Sequence, residues 1–280
     1  MRPPILITGA RGTLGGAFAR MCRVRDLAFE LTTRDALDIG DRRSVMEALE
    51  RHQPWAVINA AGYVRVDDAE DDHHACMLAN VDGPELLAEA CASARLPFVT
   101  FSSDLVFDGA KETPYDERDL PRPLNVYGRS KLAAEQRVLD AHPGAMVVRT
   151  SAFFGPWDSH NFVTQTLCAL REGRPVQAAH DAHVSPTYLP DLVNSSLDLL
   201  IDGEFGLWHL SNVGTVSWAE LARAAARLVG LDADGVEGVP AHALSWRAQR
   251  PRFSALGSWR GAMLPSLDDA LARYVTERGA

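Results

Sequence analysis

The first 150 residues alternate short apolar runs with longer stretches of helical periodicity. The apolar runs predict strands at Ile5–Thr8, Ala28–Thr32, Ala56–Asn59, Phe98–Ser102 and Met146–Thr150. The intervening stretches predict helices at Leu14–Arg23, Ser44–Arg51, Gly83–Ala94 and Ser130–Ala141. Because this alternation is typical of parallel strands joined by crossover helices, the sequence predicts an α/β fold with a doubly wound parallel sheet of the Rossmann type.

A glycine-rich turn follows the first predicted strand and leads into the first predicted helix. Its pattern, G-x-x-G-x-x-G, comprises Gly9, Arg11, Gly12, Thr13, Leu14 and Gly15. Glycines at such a turn let the backbone approach a pyrophosphate, whose charge can then be bound by the N–H groups that open the helix. The pattern alone is weak, but its place between a strand and a helix favours a dinucleotide over a simple turn.

The second half of the chain has a different organisation. After about residue 150 the elements become shorter, and Gly-Pro and Ser-Pro pairs separate them. A Ser-x-x-Glu capping box at Ser217–Glu220 predicts the start of a helix there. We expect a dinucleotide-binding domain at 1–150 and a smaller, discontinuous C-terminal substrate-binding lobe at 151–280, with segments that return to the first domain. A chain of 280 residues is long enough for both.

The charge balance and the cysteines limit the expected partners. The chain has 28 Lys and Arg against 37 Asp and Glu, a formal net charge of −9, and no basic run suited to nucleic acid. Four cysteines without C-x-x-C spacing indicate reduced thiols, and the apolar start is too short for a signal sequence or a membrane span. We expect a cytoplasmic protein that binds neither nucleic acid nor a membrane. The oligomeric state stays open, with a homodimer as one option.

No metal site is expected from the sequence. The adjacent residues His73 and His74 would point about 100° apart on a helix, and no third ligand lies near them. The acidic run Asp67–Asp71 could hold Mg²⁺ on one loop, but a solvated acidic face is the favoured interpretation. The sequence pattern also favours a packing role over ligand stacking for Trp208, Trp218 and Trp246.

The residue that follows the second predicted strand bears on the choice of cofactor. An NAD site usually places an acid there on the ribose 2′-hydroxyl, whereas this chain has Arg34. A guanidinium at this point, with Arg11 in the glycine turn, suits the 2′-phosphate of NADP. We therefore expect NADP(H) to be preferred. If both arginines are ordinary surface residues, NAD(H) remains usable.

Tyr127 and Lys131 open a predicted helix at positions i and i+4, so they share one face. A tyrosine has a pKa of about 10, and a neighbouring ammonium is expected to lower it toward working pH. The phenol could then exchange a proton with a carbonyl or hydroxyl group. The spacing alone is common, but Ser102 and Ser103 end the preceding strand, at the edge of the sheet where sites of this architecture lie.

Several further motifs, taken together, are far more specific than the glycine turn. They are Asn59-Ala60-Ala61-Gly62-Tyr63, Ser102-Ser103-Asp104-Leu105-Val106-Phe107-Asp108-Gly109, Pro123–Lys131, Arg149-Thr150-Ser151, Asn161-Phe162, Ser185–Tyr188, Asp191-Leu192 and Arg250-Pro251. With them the chain resembles the extended short-chain dehydrogenase/reductase superfamily and, within it, the dTDP-4-dehydrorhamnose reductase family. The resemblance covers nearly the whole chain. It implies an oxidoreductase that uses NADPH to reduce a nucleotide-linked 4-keto-6-deoxy sugar for cell-wall polysaccharides.

The resemblance also implies roles for individual residues. Tyr127 would donate the proton, Ser103 would orient the sugar 4-keto oxygen, and Lys131 would hold the nicotinamide ribose and tune Tyr127. The other residues expected to contact the cofactor are Asp38, Ile39, Ala61, Gly62, Tyr63 and Ser102. The residues expected to contact the substrate are Ser103, Asp104, Asn161 and the residue at position 152.

Two positions depart from the pattern of the family. Ala152 stands where tryptophan is common, and Leu105 stands where tyrosine is usual. Since aromatic faces supply much of the contact area in such pockets, we expect a wider pocket and a sugar other than the rhamnose precursor. The alternative is that a neighbouring aromatic, Phe153, Phe154 or Trp157, fills the vacated space.

Two other functions stay open at this point. The first is a non-catalytic regulatory subunit that binds NADP or a sugar nucleotide, although intact Ser103, Tyr127 and Lys131 argue against it. The second is a sugar-nucleotide epimerase or dehydratase of the same superfamily. Dehydratases typically place Asp-Glu after the hydroxyl at the strand end, whereas this chain has Asp104 followed by Leu105.

Overall fold

The structure, a computed structural model, describes residues 3–261 and 263–278. The strands of the first half are β1 (Ile5–Thr8), β2 (Phe29–Thr32), β3 (Ala56–Asn59), β4 (Phe98–Ser103) and β5 (Met146–Thr150). The helices of this half are α1 (Thr13–Val24), α2 (Arg42–His52), α3 (His73–Met77), α4 (Gly83–Ala94) and α5 (Val126–Ala141). A π-helical turn at Leu78–Asp82 joins α3 to α4.

The second half consists mainly of short elements. Its strands are β6 (Phe153–Phe154), β7 (Val176–Ala179), β8 (His183–Val184), β9 (Thr187–Tyr188), β10 (Gly206–His209), β11 (Asn212–Val213), β12 (Val216–Ser217), β13 (Val236–Val239) and β14 (Leu264–Ser266). Its helices are α6 (Phe162–Arg171), α7 (Leu189–Ile201), α8 (Trp218–Leu228) and α9 (Leu267–Arg278). The predicted capping box is present at the start of α8, where Ser217 and Glu220 bond each other's backbone N–H.

A parallel sheet of six strands forms the centre of the molecule, in the order β2-β1-β3-β4-β5-β10. The chain runs outward from β1 to β2 and then returns to the other side of β1 to form β3. This reversal leaves a crevice at the carboxyl ends of β1 and β3, where ligands bind in open α/β sheets. The predicted doubly wound fold is confirmed. Strand β10, from the second half, extends the sheet beyond β5.

Helices cover both faces of this sheet. On one face α1 and α7 bury Phe18, Leu192 and Leu197 against the strands, and on the other α2, α4 and α5 bury side chains such as Leu87 and Val138. Burying a large aliphatic or aromatic side chain contributes about 1.5–3 kcal/mol relative to leaving it exposed. Among the helices of the described ranges, none has the length and apolarity to cross a bilayer.

The predicted strands agree closely with the structure, but one helix boundary does not. Helix α5 begins at Val126 rather than at the predicted Ser130. The reason is a local cap, because Asn125 accepts a hydrogen bond from the N–H of Gly128 at 2.7 Å. The earlier start places both Tyr127 and Lys131 inside the helix.

Candidate active site

A cleft of about 1210 Å³ lies at the carboxyl ends of β1, β3, β4 and β5. A pocket for one drug-sized ligand measures roughly 300–1,000 Å³, so this cleft has room for more than one molecule. Residues of both halves of the chain line it. The predicted site residues among them are Gly9, Arg11, Gly12, Thr13, Leu14, Arg34, Asp38, Ile39, Ala61, Gly62, Ser102, Ser103, Asp104, Tyr127, Lys131 and Ala152.

Three predicted site residues lie outside the cleft lining. Gly15 lies beneath the glycine turn, where a Cβ would come 2.4 Å from the carbonyl oxygen of Gly9. The ring of Tyr63 packs beside α5 in a small apolar cluster. Asn161 caps α6, accepting from the N–H of Thr164 at 2.9 Å and donating to the carbonyl of Asp158 at 2.7 Å. The side chain of Asn161 is thus occupied by the fold, and the geometry gives no support to a sugar contact.

The glycine turn has the shape that a pyrophosphate requires. Gly9 has a φ of +82°, and a Cβ there would lie 2.6 Å from the carbonyl oxygen of Ala60. Helix α1 starts directly after Gly12, and no side chain of the described residues caps its N-terminus. The first N–H groups of α1 therefore remain available, so this part of the chain fits the phosphates of a dinucleotide.

The two arginines proposed to bind a 2′-phosphate lie together at one end of the cleft. Arg34 contacts the carboxylate of Asp38 at 3.2 Å, and Arg11 contacts that of Asp35 at 3.2 Å. Both arginines are exposed, and exposed ion pairs contribute only about 0–1 kcal/mol. Either guanidinium can therefore exchange its carboxylate for a phosphate at little cost.

Two buried asparagines shape the backbone from Ala61 to Tyr63. Asn59, at the end of β3, accepts from the hydroxyl of Thr8 at 2.7 Å and from the N–H of Ala61 at 3.2 Å. Asn80, in the π-helical turn, accepts from the N–H of Tyr63 at 2.7 Å and donates to its carbonyl at 3.0 Å. Sequence reasoning missed Asn80, because a π-helical turn, which often marks a functional site, has no simple sequence signal.

Helix α5 brings its first turns directly onto the end of β4. A Cβ on Gly128 would lie 2.2 Å from the carbonyl oxygen of Leu105, so a larger residue would push the helix away. This close approach brings Tyr127 and Lys131 into the same cleft as Ser103. The Nζ atom of Lys131 donates to the carbonyl of Phe101 at 3.1 Å and lies 5.6 Å from the centroid of the Tyr127 ring.

The acidity of Tyr127 differs from the expectation. Burial and the negative charge of Asp104 raise the pKa of Tyr127 above its usual value, while the Ser103 hydroxyl acts in the opposite direction. The prediction that Lys131 lowers this pKa is therefore wrong for the protein alone, because burial penalises the phenolate more strongly. Tyr127 is thus held as a phenol, the form that can donate a proton.

Lys131 has the opposite shift. Burial lowers the pKa of Lys131 to about 8, and the nearby Cys76 and Glu135 act to raise it. An ammonium with this pKa is still mostly charged at pH 7. It can therefore serve both as a hydrogen-bond donor and as a positive charge beside Tyr127.

Asp104 is a buried carboxyl group surrounded by three serines. It accepts hydrogen bonds from Ser254 at 2.6 Å and from Ser103 and Ser151 at 3.0 Å each. Burial raises the pKa of Asp104, and these hydrogen bonds oppose the effect. Ser103 also accepts from the N–H of Leu105 at 3.1 Å, so its hydroxyl has a fixed position at the end of β4.

A buried polar network supports the floor of the site. Glu135 accepts from the hydroxyl of Ser102 and from Arg149, whose Nη2 lies 2.6 Å from Oε2. Arg149 also donates to Nε2 of His209 at 3.3 Å, and Nδ1 of His209 lies 2.9 Å from the carbonyl of Gly257. The contact with this carbonyl assigns the ring proton to Nδ1. Burial and the charge of Arg149 lower the pKa of His209, so the ring is neutral.

Several aromatic side chains line the cleft. Ala152 and Leu105, the two departures from the family pattern, both lie there. Of the three aromatic neighbours of Ala152 named above, Phe153 lines the cleft, Phe154 is buried in a core cluster and Trp157 is exposed outside the lining. Other aromatic residues in the lining are Phe101, Phe162, Trp218 and Trp246.

The packing role expected for three tryptophans is confirmed for Trp208, a residue of β10 that is buried in the core. The prediction of a packing role describes Trp218 only in part. Its ring packs edge-on against that of Phe162, with 4.9 Å between the ring centroids, but it also faces the cleft. For Trp246, which is partly buried in an irregular segment at the cleft wall, the packing role stays a prediction. An irregular segment has no periodicity from which the sequence could have placed the ring of Trp246.

The chain matches a known family over almost its full length. The family is described as the RmlD substrate binding domain, and the match spans residues 1–268. The chain belongs to this family. The RmlD match confirms the resemblance predicted from the sequence motifs.

Two curated relatives of this RmlD family member are reductases. The dTDP-4-keto-6-deoxy-D-glucose reductase of Streptomyces niveus is 35% identical over 262 residues, covering 92% of this chain and 91% of the relative. The dTDP-4-dehydrorhamnose reductase of Mycolicibacterium smegmatis is 36% identical over 287 residues, covering 98% of this chain and 87% of the relative. The names of both relatives agree with the predicted reductase chemistry.

A solved structure supports the same comparison. The dTDP-4-dehydrorhamnose reductase of Bacillus anthracis in complex with NADP has a TM-score of 0.94 and 29% sequence identity to this chain. The match covers 99% of this chain and 100% of that one. The NADP in that complex agrees with the predicted cofactor.

Proposed function

We propose that the protein is an NADPH-dependent reductase of a nucleotide-linked 4-keto-6-deoxy sugar. The observation that carries the proposal is the meeting of Tyr127, Lys131 and Ser103 in one cleft beside the glycine turn. The names of the relatives support the reductase and the class of sugar, and the B. anthracis complex supports the cofactor.

Tyr127, Ser103 and Lys131 have separate roles in the reduction. NADPH, when bound, supplies the hydride for the carbonyl carbon. Tyr127 donates the proton that the carbonyl oxygen takes up, since burial keeps its phenol protonated. Ser103 orients that oxygen, and the ammonium of Lys131 stabilises the phenolate that remains on Tyr127. One hydride and one proton convert the carbonyl into a hydroxyl group, and solvent later returns a proton to Tyr127.

We infer that the two halves of the chain hold different ligands. The dinucleotide-binding domain at 1–150 supplies the glycine turn and the pair Arg11 and Arg34, here called the arginine corner. The lobe at 151–280 supplies most of the aromatic side chains of the cleft. Phe162 and Trp218, 4.9 Å apart, offer flat apolar surface to the base of a nucleotide sugar. Strand β10 is a segment of the lobe that returns to the central sheet.

The reductase proposal is tested by an absorbance assay for NADPH oxidation with dTDP-, UDP- and GDP-linked 4-keto sugars. Nucleotides that copurify with the protein, identified by mass spectrometry, indicate which base to try first. We expect NADPH consumption with dTDP-linked sugars. Binding without consumption across the panel would instead support the regulatory function, and turnover with no net loss of NADPH would support an epimerase or a dehydratase.

Replacing Arg34 should remove the preference for NADPH over NADH. In the wild type we expect NADPH to bind about ten- to a hundredfold more tightly than NADH, because charge-assisted hydrogen bonds contribute about 1.5–3 kcal/mol. Arg34→Ala should weaken NADPH and leave NADH unchanged, as measured by fluorescence titration. Arg51→Ala, at an exposed arginine outside the cleft, is the control. Equal affinities in the wild type would contradict the assignment.

Filling position 152 should change the choice of sugar. We expect poor activity of the wild type toward dTDP-4-dehydrorhamnose, because Ala152 leaves a wider pocket. Ala152→Trp restores a ring that can bury on the order of 200 Å² and should raise kcat/KM for that sugar. Ala152→Leu adds bulk without an aromatic face and serves as the control. Efficient reduction of this sugar by the wild type would show instead that Phe153 already supplies the surface.

A further inference from the structure

Residues 244–251, here called the wall segment, come from the second half of the chain and form part of the cleft. Leu244, Trp246, Arg250 and Pro251 line the cleft. The structure describes every residue of the wall segment, and none of them belongs to a helix or a strand. Regular backbone hydrogen bonding therefore does not fix its shape, and side-chain contacts must do so.

Asp67, from the first half of the chain, accepts three hydrogen bonds from the wall segment. Its Oδ1 atom accepts from the backbone N–H of Arg247 at 3.0 Å and of Ala248 at 2.9 Å. Its Oδ2 atom accepts from Arg250 at 3.1 Å. Burial acts to raise the pKa of Asp67, but these hydrogen bonds and the charge of Arg250 outweigh it, so the pKa lies below its usual value. The carboxylate is therefore charged at neutral pH.

The neighbouring acids hold the wall segment far less firmly. Asp68 contacts Arg247 at 2.7 Å, and Asp71 also pairs with Arg247. The side chains of Asp68, Asp71 and Arg247 are 45%, 69% and 52% exposed. Those of Asp67 and Arg250 are less exposed, at 33% and 17%. Because exposed pairs contribute about 0–1 kcal/mol, Asp67 carries most of the ionic contact. The expected solvated acidic face is thus wrong for Asp67.

The contacts of Asp67 determine where two cleft side chains point. Arg250 lies 5.5 Å from the centroid of the Trp246 ring and donates to the carbonyl of Ala248 at 2.9 Å. The carbonyl of Gln249 accepts from Asn125, the cap of the helix that carries Tyr127, at 2.8 Å. The wall segment is therefore tied to the first half by Asn125 and by three acids, Asp67, Asp68 and Asp71, of which Asp67 is the least exposed.

We propose that Asp67 is a positioning residue for the nucleotide sugar. From outside the cleft, Asp67 holds Arg250 and Trp246 in the orientation in which these two side chains contact the substrate. A guanidinium stacked on an indole suits an anionic ligand that also carries rings. The inference rests on the proposed function, which places a nucleotide sugar on this side of the cleft. The glycine turn and the arginine corner do not depend on the wall segment, so cofactor binding should not depend on Asp67.

The test is Asp67→Asn, which keeps the size of the side chain and removes its charge. Binding of dTDP-rhamnose to the protein saturated with NADP⁺ is measured by calorimetry, together with KM and kcat for a dTDP-linked 4-keto sugar. We expect about tenfold weaker binding and a similarly higher KM, with kcat and NADPH affinity unchanged. Asp68→Asn is the matched control, because the same substitution one residue later affects an exposed pair, and it should leave KM unchanged.

A second variant, Asp67→Ser, removes the charge with a shorter side chain and should show the same rise in KM without a fall in kcat if the Asn variant does not fold. Wild-type affinity in both variants would overturn the positioning role and leave the proposed function intact. A fall in kcat or in NADPH affinity equal to the rise in KM would indicate a general structural role and also overturn it. A wild type that neither binds nor reduces any nucleotide sugar would remove the proposed function, and this inference with it.

Discussion

Tyr127→Phe should lower kcat for keto-sugar reduction by about 10²–10⁴-fold, the usual loss when a positioned general acid is removed. The substitution deletes the proton that the carbonyl oxygen must receive. It leaves the ring, which packs against the apolar cluster of Ala69, Cys76 and Val126. NADPH affinity should therefore stay at its wild-type value. Steady-state kinetics and a fluorescence titration of NADPH measure the two quantities separately.

The matched comparison is Lys131→Met, which keeps the length of the side chain and removes its charge. Because the ammonium is expected to contact both the cofactor ribose and Tyr127, this variant should lose turnover and NADPH affinity together. A Tyr127→Phe protein that reduces sugar at the wild-type rate would show that another group donates the proton.

Arg149→Met should destabilise the protein by about 3–5 kcal/mol, because it leaves a buried charge without its partner. The side chains of Arg149 and Glu135 are 3% and 5% exposed, and their oxygen and nitrogen atoms lie 2.6 Å apart. Without Arg149, the carboxylate of Glu135 would keep the hydroxyl of Ser102 but lose both bonds from the guanidinium. The free energy of unfolding in urea measures the effect.

A double variant, Arg149→Met with Glu135→Leu, separates the two contributions to this loss. It replaces both buried charges with apolar groups, so it should recover much of the stability. A single Arg149→Met variant as stable as the wild type would contradict the view that this ion pair is a structural support of the cleft.

The features that the sequence predicted well are local ones. The glycine turn, the strand at Ile5–Thr8 and the spacing of Tyr127 and Lys131 each depend on residues a few positions apart, and in each the pattern and the geometry agree. The parallel sheet and the covering of both its faces follow from the alternation of strands with helices. The resemblance assigned roles to residues only at positions that belong to one of its motifs.

The features that the sequence missed depend on distant contacts or on burial. Asp67 and Arg250 form a hydrogen bond although they are 183 positions apart in the sequence, and no pattern in either segment predicts this contact. Trp246 likewise lies in an irregular segment whose position in the cleft wall has no sequence periodicity to predict it. The direction of the pKa shift of Tyr127 could not be predicted because it depends on how deeply the finished fold buries the phenol. Asn161 was predicted by motif alone, and the motif did not distinguish a helix cap from a sugar contact.

The central claim is that a hydride passes from the reduced nicotinamide to carbon 4 of a nucleotide-linked sugar in this cleft. The most direct test uses NADPH carrying two deuterium atoms at carbon 4 of the nicotinamide, with a dTDP-linked 4-keto-6-deoxy sugar and the wild-type protein. Mass spectrometry and NMR of the product should show one deuterium at carbon 4 of the sugar for each NADP⁺ formed. A product without deuterium at that carbon, or no reduced sugar while both ligands bind, would contradict the account.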